Sequence, residues 1–191
     1  MGRSPPFLRR LRAAPGRLVH GLRRRQAREA LRHRSRPATI LVVCYGNICR
    51  SPFAARLLAV ELAAVGVQVE SAGFVSPNRP CPPEAVTAAA QRGVDLSAHR
   101  STLLTPDRAR SADLIVVMDP AQGHVICDRF GRWPRDILVL GDLDPEPLVT
   151  PAIRDPVDQD IAVFEETYAR IERCVRELTQ ALCWQPATVS S

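Results

Sequence analysis

The sequence contains no lysine, since all 26 of its basic side chains are arginine. That absence excludes nucleotide hydrolases that need a Walker lysine, Schiff-base enzymes, and enzymes with a lysine general base. Long apolar runs are also missing. Residues 38–44, interrupted only by Thr39, are far fewer than the roughly 20 residues that span a bilayer. We therefore expect no membrane-spanning segment.

Acidic residues are scarce in the first part of the chain. Residues 1–36 hold 12 arginines and a single acid, a net charge of +11, whereas residues 37–191 hold 14 arginines and 19 acids, a net charge of −5. We therefore expect three parts: a basic, disordered leader at 1–36, one domain at 37–184, and a flexible tail at 185–191. The leader predicts at most a weak contact with an anionic surface, and no specific nucleic acid partner is expected.

Paired cysteine motifs are absent as well. The six cysteines include no Cys-x-x-Cys pair, and no histidine stands at a repeated zinc-ligand spacing, so neither a metal nor another cofactor is expected. No continuous apolar segment follows the arginines of the leader, as it would in a secretory signal. Both observations favour the reducing cytoplasm, in which the cysteines are thiols and one of them is available as a nucleophile.

Strand-like and helix-like segments alternate after residue 37. The apolar pattern predicts strands at 39–43, 67–70, 114–118 and 137–140, and helices at 52–65, 83–92, after Thr105, and at 160–183. This alternation is typical of an α/β fold with a parallel sheet covered by helices on both faces.

The junction between the first strand and the first helix reads Cys44-Tyr45-Gly46-Asn47-Ile48-Cys49-Arg50-Ser51-Pro52. Ligands of α/β proteins bind at the carboxyl ends of parallel strands. The backbone amides of residues 44–50 and the following helix N-terminus can surround an anion there. Gly46 and Asn47 both tolerate the positive φ that a tight loop requires. The junction is therefore predicted to bind phosphate.

The side chains of this junction suit phosphoryl transfer. Cys44 is the expected nucleophile, because a thiol among amide donors and a guanidinium at a helix N-terminus is a thiolate near neutral pH. Arg50 offers a planar fork to two phosphoryl oxygens, and Ser51 can donate a hydrogen bond to the thiolate. Cys49 is expected to capture an oxidised Cys44 as a disulfide, and the alternative is that it only fills space beneath the loop.

The same motif resembles the signature of the low-molecular-weight protein-tyrosine phosphatases. The similarity continues, in order, through residues 70–73, 93–100, 112–119, 155–156 and 164–168. The resemblance implies a flavodoxin-like fold with four parallel strands (phosphotyrosine phosphatase I-like) and a metal-independent hydrolysis of protein phosphotyrosine through a phosphocysteine intermediate. It also implies that Asn47, Ser71 and His99 hold the phosphate loop by hydrogen bonds.

Three Asp-Pro pairs offer candidates for the general acid that protonates the leaving phenolate. Asp155 is the expected donor, because it precedes the last helix, where the family places its acid. Asp144 is the second candidate, and Asp119 is expected to cap the end of a strand.

The pocket departs from the family pattern at Val157, where relatives usually carry an aromatic wall. Tyr45 and Phe74 are candidates to supply that aromatic surface instead. Ile48 favours phosphotyrosine, since relatives that hydrolyse phosphoarginine carry threonine there, but phosphoarginine remains an alternative substrate.

Two further readings stay open. The first is arsenate reductase, which shares this fold and needs two more cysteines near the end of the third strand. This chain has Met118 and Asp119 there, with Cys127 nearby. The second is a binding-only relative without activity, which the presence of Cys44 and Arg50 disfavours.

Overall fold

The protein is described here by a computed structural model that covers residues 6–183. Its strands are β1 Thr39–Cys44, β2 Gln68–Gly73, β3 Leu114–Val117 and β4 Ile137–Val139. Its helices are α1 Pro6–Arg32, α2 Arg50–Leu62, α3 Pro83–Ala90, α4 Pro106–Ser111, α5 Pro120–Phe130 and α6 Ile161–Cys183. Short 3₁₀ turns occupy Ala63–Val65, Pro134–Asp136 and Leu140–Leu143.

The four strands form one parallel sheet in the order β2-β1-β3-β4. Alternate residues of β1 face opposite sides, so Ile40 and Val42 join the core beneath α2 and α6, and Leu41 and Val43 join the core on the other face. Burial on both faces explains why β1 and β3 are continuous apolar runs. The predicted α/β fold with a four-stranded parallel sheet is confirmed.

Helix α5 is an element that the sequence patterns did not predict. Asp119 is its N-cap and accepts a hydrogen bond from the Gln122 backbone N–H at 3.0 Å, and Pro120 occupies its first turn. The expectation that Asp119 caps the end of a strand is therefore wrong, because β3 ends at Val117 and the Asp119 side chain serves the helix that follows.

The leader differs most from its prediction. The charge pattern predicts a disordered segment, whereas residues 6–32 form helix α1, with Leu31 buried in the core. Arg24 and Arg28 each lie 2.7 Å from the Glu177 carboxylate, and Arg23 lies 3.0 Å from that of Asp142. Acids of the domain thus pair with arginines of the leader and hold its second half in place. The predicted tail, from residue 185, lies outside the described residues.

None of the helices within residues 6–183 is both long enough and apolar enough to cross a bilayer.

Candidate active site

The junction predicted to bind phosphate lies at the carboxyl edge of the sheet, directly after β1. The order of the strands reverses its direction between β1 and β3, and such a switch point opens a crevice for ligands. The chain turns sharply at Asn47, whose φ is 52°, whereas Gly46 is not in the left-handed region. Residues 44–50, called the phosphate loop below, then lead into α2, which begins at Arg50.

Two hydrogen-bond donors point at the sulfur of Cys44. The backbone N–H of Asn47 lies 3.2 Å from Cys44 Sγ, and the Ser51 hydroxyl lies 3.1 Å from it. Because α2 begins at Arg50, Ser51 lies inside the first turn of the helix, where its side chain can face the thiol. The Cys44 side chain is buried at the base of the loop, so these donors act on it with little competition from water.

Asn47 connects the loop to its surroundings. Its side-chain amide donates to the hydroxyls of Ser51 and Ser71, each at 2.9 Å, and its side-chain oxygen accepts from the Thr102 backbone N–H at 2.7 Å. Its backbone oxygen lies 2.8 Å from His99 Nε2. The structure thus brings Asn47, Ser71 and His99 together around the loop. Thr102 was missed, since a backbone donor leaves no signal in the sequence.

His99 carries its proton on Nε2 in the neutral form, because the carbonyl oxygen that it contacts only accepts hydrogen bonds. Burial lowers the pKa of His99, and the hydrogen bond to Asn47 offsets part of that shift. Arg56 and Arg100 lower the pKa further through their positive charges. The ring is therefore held neutral as a donor to the loop.

Gly73, at the end of β2, is a second residue whose role the sequence did not reveal. A Cβ at this position would lie 2.8 Å from the Tyr45 oxygen and 2.9 Å from the Asn47 nitrogen, closer than such atoms approach. The next residue, Phe74, donates its backbone N–H to the same Tyr45 oxygen at 2.8 Å. The loop therefore packs directly against the β2 backbone, and only glycine permits that approach.

Arg50 and Asp155 meet at the loop from opposite ends of the domain sequence. Arg50 is buried, donates from Nη1 to the Ile153 oxygen at 3.0 Å, and pairs through Nη2 with the Asp155 carboxylate. Arg50 Nε is buried without a hydrogen-bond partner among the described residues, which leaves one donor for another acceptor. The Asp155 side chain is 43% exposed, so its carboxylate reaches both the guanidinium and solvent.

The other two Asp-Pro aspartates have structural partners elsewhere. Asp144 is completely buried and pairs with Arg170 at 3.0 Å and with Arg173 at 3.3 Å, at the carboxyl end of the last 3₁₀ turn. Asp119 caps α5. Of the three candidates, Asp155 is the one that contacts a residue of the phosphate loop.

Two stacked aromatic rings support the phosphate loop at Cys49. Tyr168 of α6 donates its hydroxyl to the Cys49 oxygen at 3.2 Å, and its ring stacks on that of Phe53 with 3.9 Å between centroids. Burial raises the pKa of the Cys49 thiol, with Cys44 as the next cause. Burial also raises the pKa of Cys81 to about 11, and Cys44 again adds to it, so a third thiol lies near the loop.

Side chains of mixed character flank the loop. Tyr45 is 60% exposed at its rim, whereas Ile48 is buried. Phe74 and Val157 are half-buried, and Val157 donates its backbone N–H to the Asp155 carboxylate at 3.3 Å. The valine therefore lies beside the expected general acid, and Tyr45 is the more exposed of the two aromatic rings.

Comparisons with known proteins identify relatives of this chain. Residues 39–187 match the family described as low molecular weight phosphotyrosine protein phosphatase. The chain is 40% identical over 137 residues to the probable low molecular weight protein-tyrosine-phosphatase EpsP of Ralstonia nicotianae, which covers 72% of this chain and 90% of that protein. It is 34% identical over 149 residues to the protein-arginine-phosphatase of Bacillus subtilis, covering 75% of this chain and 95% of that protein.

A solved structure shows the same likeness. The tyrosine phosphatase AmsI of Erwinia amylovora superposes on this chain with a TM-score of 0.72 at 29% sequence identity. The superposition covers 80% of this chain and 97% of AmsI.

Proposed function

The chain belongs to the low molecular weight phosphotyrosine protein phosphatase family, and from that premise we propose that it removes phosphate from protein phosphotyrosine through a phosphocysteine intermediate on Cys44. One observation carries this proposal. The Cys44 sulfur with its two donors, the buried Arg50 guanidinium and the Asp155 carboxylate all meet at one loop.

The first step transfers the phosphoryl group to the enzyme. The Cys44 thiolate attacks phosphorus in line, so that an S–P bond forms while the P–O bond to the tyrosine ring breaks. Asp155, in its acid form, gives a proton to the departing phenolic oxygen. The loop amides and the Arg50 fork bind the three remaining phosphoryl oxygens, where charge collects in the transition state.

The second step returns the enzyme to its starting state. Water attacks the phosphorus, the Asp155 carboxylate accepts a proton from that water, and the S–P bond breaks to release inorganic phosphate. The Ser51 hydroxyl, 3.1 Å from Cys44 Sγ, stabilises the negative charge that returns to sulfur.

The pair between Arg50 and Asp155 connects substrate binding to acid catalysis. A phosphoryl group competes with the Asp155 carboxylate for the guanidinium, because both present oxygens to the same fork. Once the phosphoryl oxygens occupy it, Asp155 is free to face the leaving group. The unpartnered Arg50 Nε supplies a further donor to the same oxygens.

Hydrolysis of p-nitrophenyl phosphate and of a phosphotyrosine peptide, both with EDTA present, tests this proposal. The wild type should hydrolyse both, and Cys44→Ser should lose activity by a factor of about 10⁴ or more while still binding vanadate. Cys183→Ser is the matched control, because Cys183 is exposed at the end of α6. Near-wild-type turnover by Cys44→Ser would exclude the phosphocysteine mechanism.

Phosphoarginine is the second candidate substrate, because the chain is also similar to the Bacillus subtilis protein-arginine-phosphatase. Ile48 favours phosphotyrosine, since its buried apolar side chain offers no hydrogen bond to a guanidinium. Turnover of free phosphoarginine beside phosphotyrosine decides between the two. A higher kcat/KM for phosphoarginine would reverse the assignment.

The arsenate reductase alternative is disfavoured by Met118, which is buried after β3 where a relay cysteine would be needed.

The compartment follows from the chemistry of the nucleophile. Cys44 can act only while its sulfur is reduced. We therefore propose that the protein works in the cytoplasm, on phosphorylated proteins that are accessible there.

Helix α1 supplies a contact to an anionic surface. Residues 6–28 hold eight arginines and no acid. Arg25 is exposed and makes no ion pair among the described residues, and Leu18 and Leu22 are exposed beside it. His20 contacts the Asp144 oxygen beyond the carboxyl end of β4, so the part of α1 before it extends past the active-site edge of the sheet.

Sedimentation with lipid vesicles tests this contact. The protein should bind vesicles that contain phosphatidylglycerol more than pure phosphatidylcholine vesicles, and 0.5 M salt should remove the difference (a Debye length of about 4 Å). Replacing Leu18 and Leu22 by serine should weaken binding, whereas the control Val60→Ser, an exposed valine of α2, should not. Equal binding to both vesicle types would exclude an electrostatic contact.

A further inference from the structure

An exposed arginine stands beside the phosphate loop without a partner. Arg79 Nη1 lies 3.9 Å from the point that a Cβ on Gly46 would occupy. Within residues 6–183, the Arg79 guanidinium makes neither a hydrogen bond nor an ion pair, although most other arginines around the domain do. An unneutralised positive charge thus lies next to the loop that binds the substrate phosphate.

The backbone that carries Arg79 is fixed by one buried serine. Arg79 donates its N–H to Ser101 Oγ at 2.9 Å and accepts from the Ser101 N–H at 2.8 Å. Ser101 Oγ donates to the Ser76 oxygen at 2.8 Å, and the Asn78 N–H donates to the Ser101 oxygen at 2.7 Å. Ser76 and Asn78 both hold a positive φ, so the segment has a defined and unusual path. The exposed side chain of Arg79 is therefore attached to a backbone that is held in place.

The other positive charges nearby are already engaged. Arg50 is paired with Asp155, and Arg100 donates to the oxygens of Ser97 and His99. Arg100 lies next to the Arg79 segment, because a β-bridge joins it to residue 80. No acidic residue of the described chain pairs with Arg79, so its charge is available to an anion from outside.

We propose that Arg79 determines specificity by binding a carboxylate of an acidic residue that flanks the phosphotyrosine of the substrate. The inference rests on the proposed function, because it concerns the same site. In the proposed complex the phosphate of the substrate occupies the phosphate loop. The Arg79 guanidinium, beside Gly46, would then contact the peptide residues next to the phosphotyrosine. A carboxylate is a suitable ligand for Arg79, because a guanidinium can bind both carboxylate oxygens at once. An exposed pair of this kind favours acidic peptides by about fivefold.

Paired peptides measure this preference. One carries phosphotyrosine between glutamates, and the other carries glutamines at the same positions. The wild type should show a kcat/KM about fivefold higher for the glutamate peptide, and Arg79→Gln should bring that ratio close to one. Arg79→Glu should reverse it in favour of a lysine-flanked peptide. The matched control is Arg129→Gln, an exposed arginine near the end of α5, which should keep the wild-type ratio.

The outcomes separate this inference from the function on which it rests. If the wild type hydrolyses both peptides equally, or Arg79→Gln keeps the preference, the role of Arg79 is wrong while the phosphatase activity stands. If the wild type hydrolyses neither peptide, the proposed function fails and the role of Arg79 fails with it. A ratio that falls in the variant and in 0.5 M salt, but not in Arg129→Gln, supports the proposal.

Discussion

Arg50 pairs with Asp155 across 105 positions of sequence, and this contact places the phosphate-binding cation against the expected proton donor. Arg50 is buried in the first turn of α2, while Asp155 is on the loop before α6. Until a phosphoryl group displaces the Asp155 carboxylate, this pair therefore holds the two halves of the active site together. Removing either partner affects both binding and proton transfer.

Replacement of Arg50 by lysine should lower activity although it keeps the charge. An ammonium cannot present two parallel N–H groups to the phosphoryl oxygens, so kcat/KM should fall by about 10²–10³. Steady-state kinetics on p-nitrophenyl phosphate measure the loss, with Arg129→Lys as the control for the same exchange far from the loop. A fully active Arg50→Lys enzyme would mean that positive charge alone suffices.

Asp155→Asn should slow the reaction most for substrates with poor leaving groups. Without a proton donor, phenyl phosphate should lose about 10²–10³ in kcat, whereas p-nitrophenyl phosphate should lose less, because p-nitrophenolate leaves without a proton. Asp144→Asn should instead destabilise the fold, since it removes a buried partner of Arg170 and Arg173. An equal loss for both substrates in Asp155→Asn would argue against a role as acid.

Stability should decrease below neutral pH because of His99. Burial lowers the folded-state pKa of His99 beneath its ordinary value, which is about 6.5 in an unfolded chain. The unfolded chain then binds the proton first, so the free energy of unfolding falls as pH drops from about 6.5 towards the folded-state pKa, and it does not change above that range through this group.

Urea unfolding at pH 7.5 and pH 5.5 measures this effect. His99→Gln keeps a donor for the Asn47 oxygen but does not titrate, so its loss of stability between the two pH values should be smaller than that of the wild type. Identical losses in both proteins would show that His99 contributes nothing to the pH dependence.

A chain that begins at Arg36 should remain active but become less stable. Removal of α1 exposes the site of Leu31 and deletes the hydrogen bond from His20 to the Asp144 oxygen, a cost of about 3 kcal/mol in the free energy of unfolding. None of the residues that meet at the phosphate loop belongs to α1, so the rate per folded molecule should not change. Urea titration and p-nitrophenyl phosphate turnover test both parts. An inactive but folded product would place α1 in the catalytic site.

Cys49 should protect the nucleophile from irreversible oxidation. Peroxide converts the Cys44 thiolate to a sulfenic acid, and attack by the Cys49 sulfur then forms an S–S bond and releases water. After peroxide treatment, dithiothreitol should restore the wild type but restore Cys49→Ala much less, while Cys174→Ala recovers like the wild type. Equal recovery in all three, with no linked peptide by mass spectrometry, would leave Cys49 as a space-filling residue.

The sequence predicts the sheet and the phosphate loop well because both are local. A β-branched run followed by Cys44 to Arg50 contains its own signal for a buried strand and a tight turn. Helix α5 was missed because Asp119-Pro120 also fits the end of a strand, and Gly123 and His124 interrupt the apolar pattern that would have indicated a helix.

Contacts between segments that are distant in sequence could not be predicted from the sequence. The arginines of α1 indicate a solvated leader when the sequence is considered alone. In the fold, Glu177 and Asp142 form ion pairs with arginines of this helix. Thr102 joins the phosphate loop through its backbone, which any residue could supply. The sequence does not distinguish Arg79 from the other 25 of its 26 arginines, whereas the fold places Arg79 beside Gly46.

Gly73 gives this site a property that can be read from genomes. Any side chain at this position would collide with the Tyr45 oxygen and the Asn47 nitrogen. A homologue with a larger residue there therefore cannot form the same phosphate loop. Position 73, far from the cysteine and the arginine in sequence, therefore identifies homologues in which the phosphate loop cannot have this geometry.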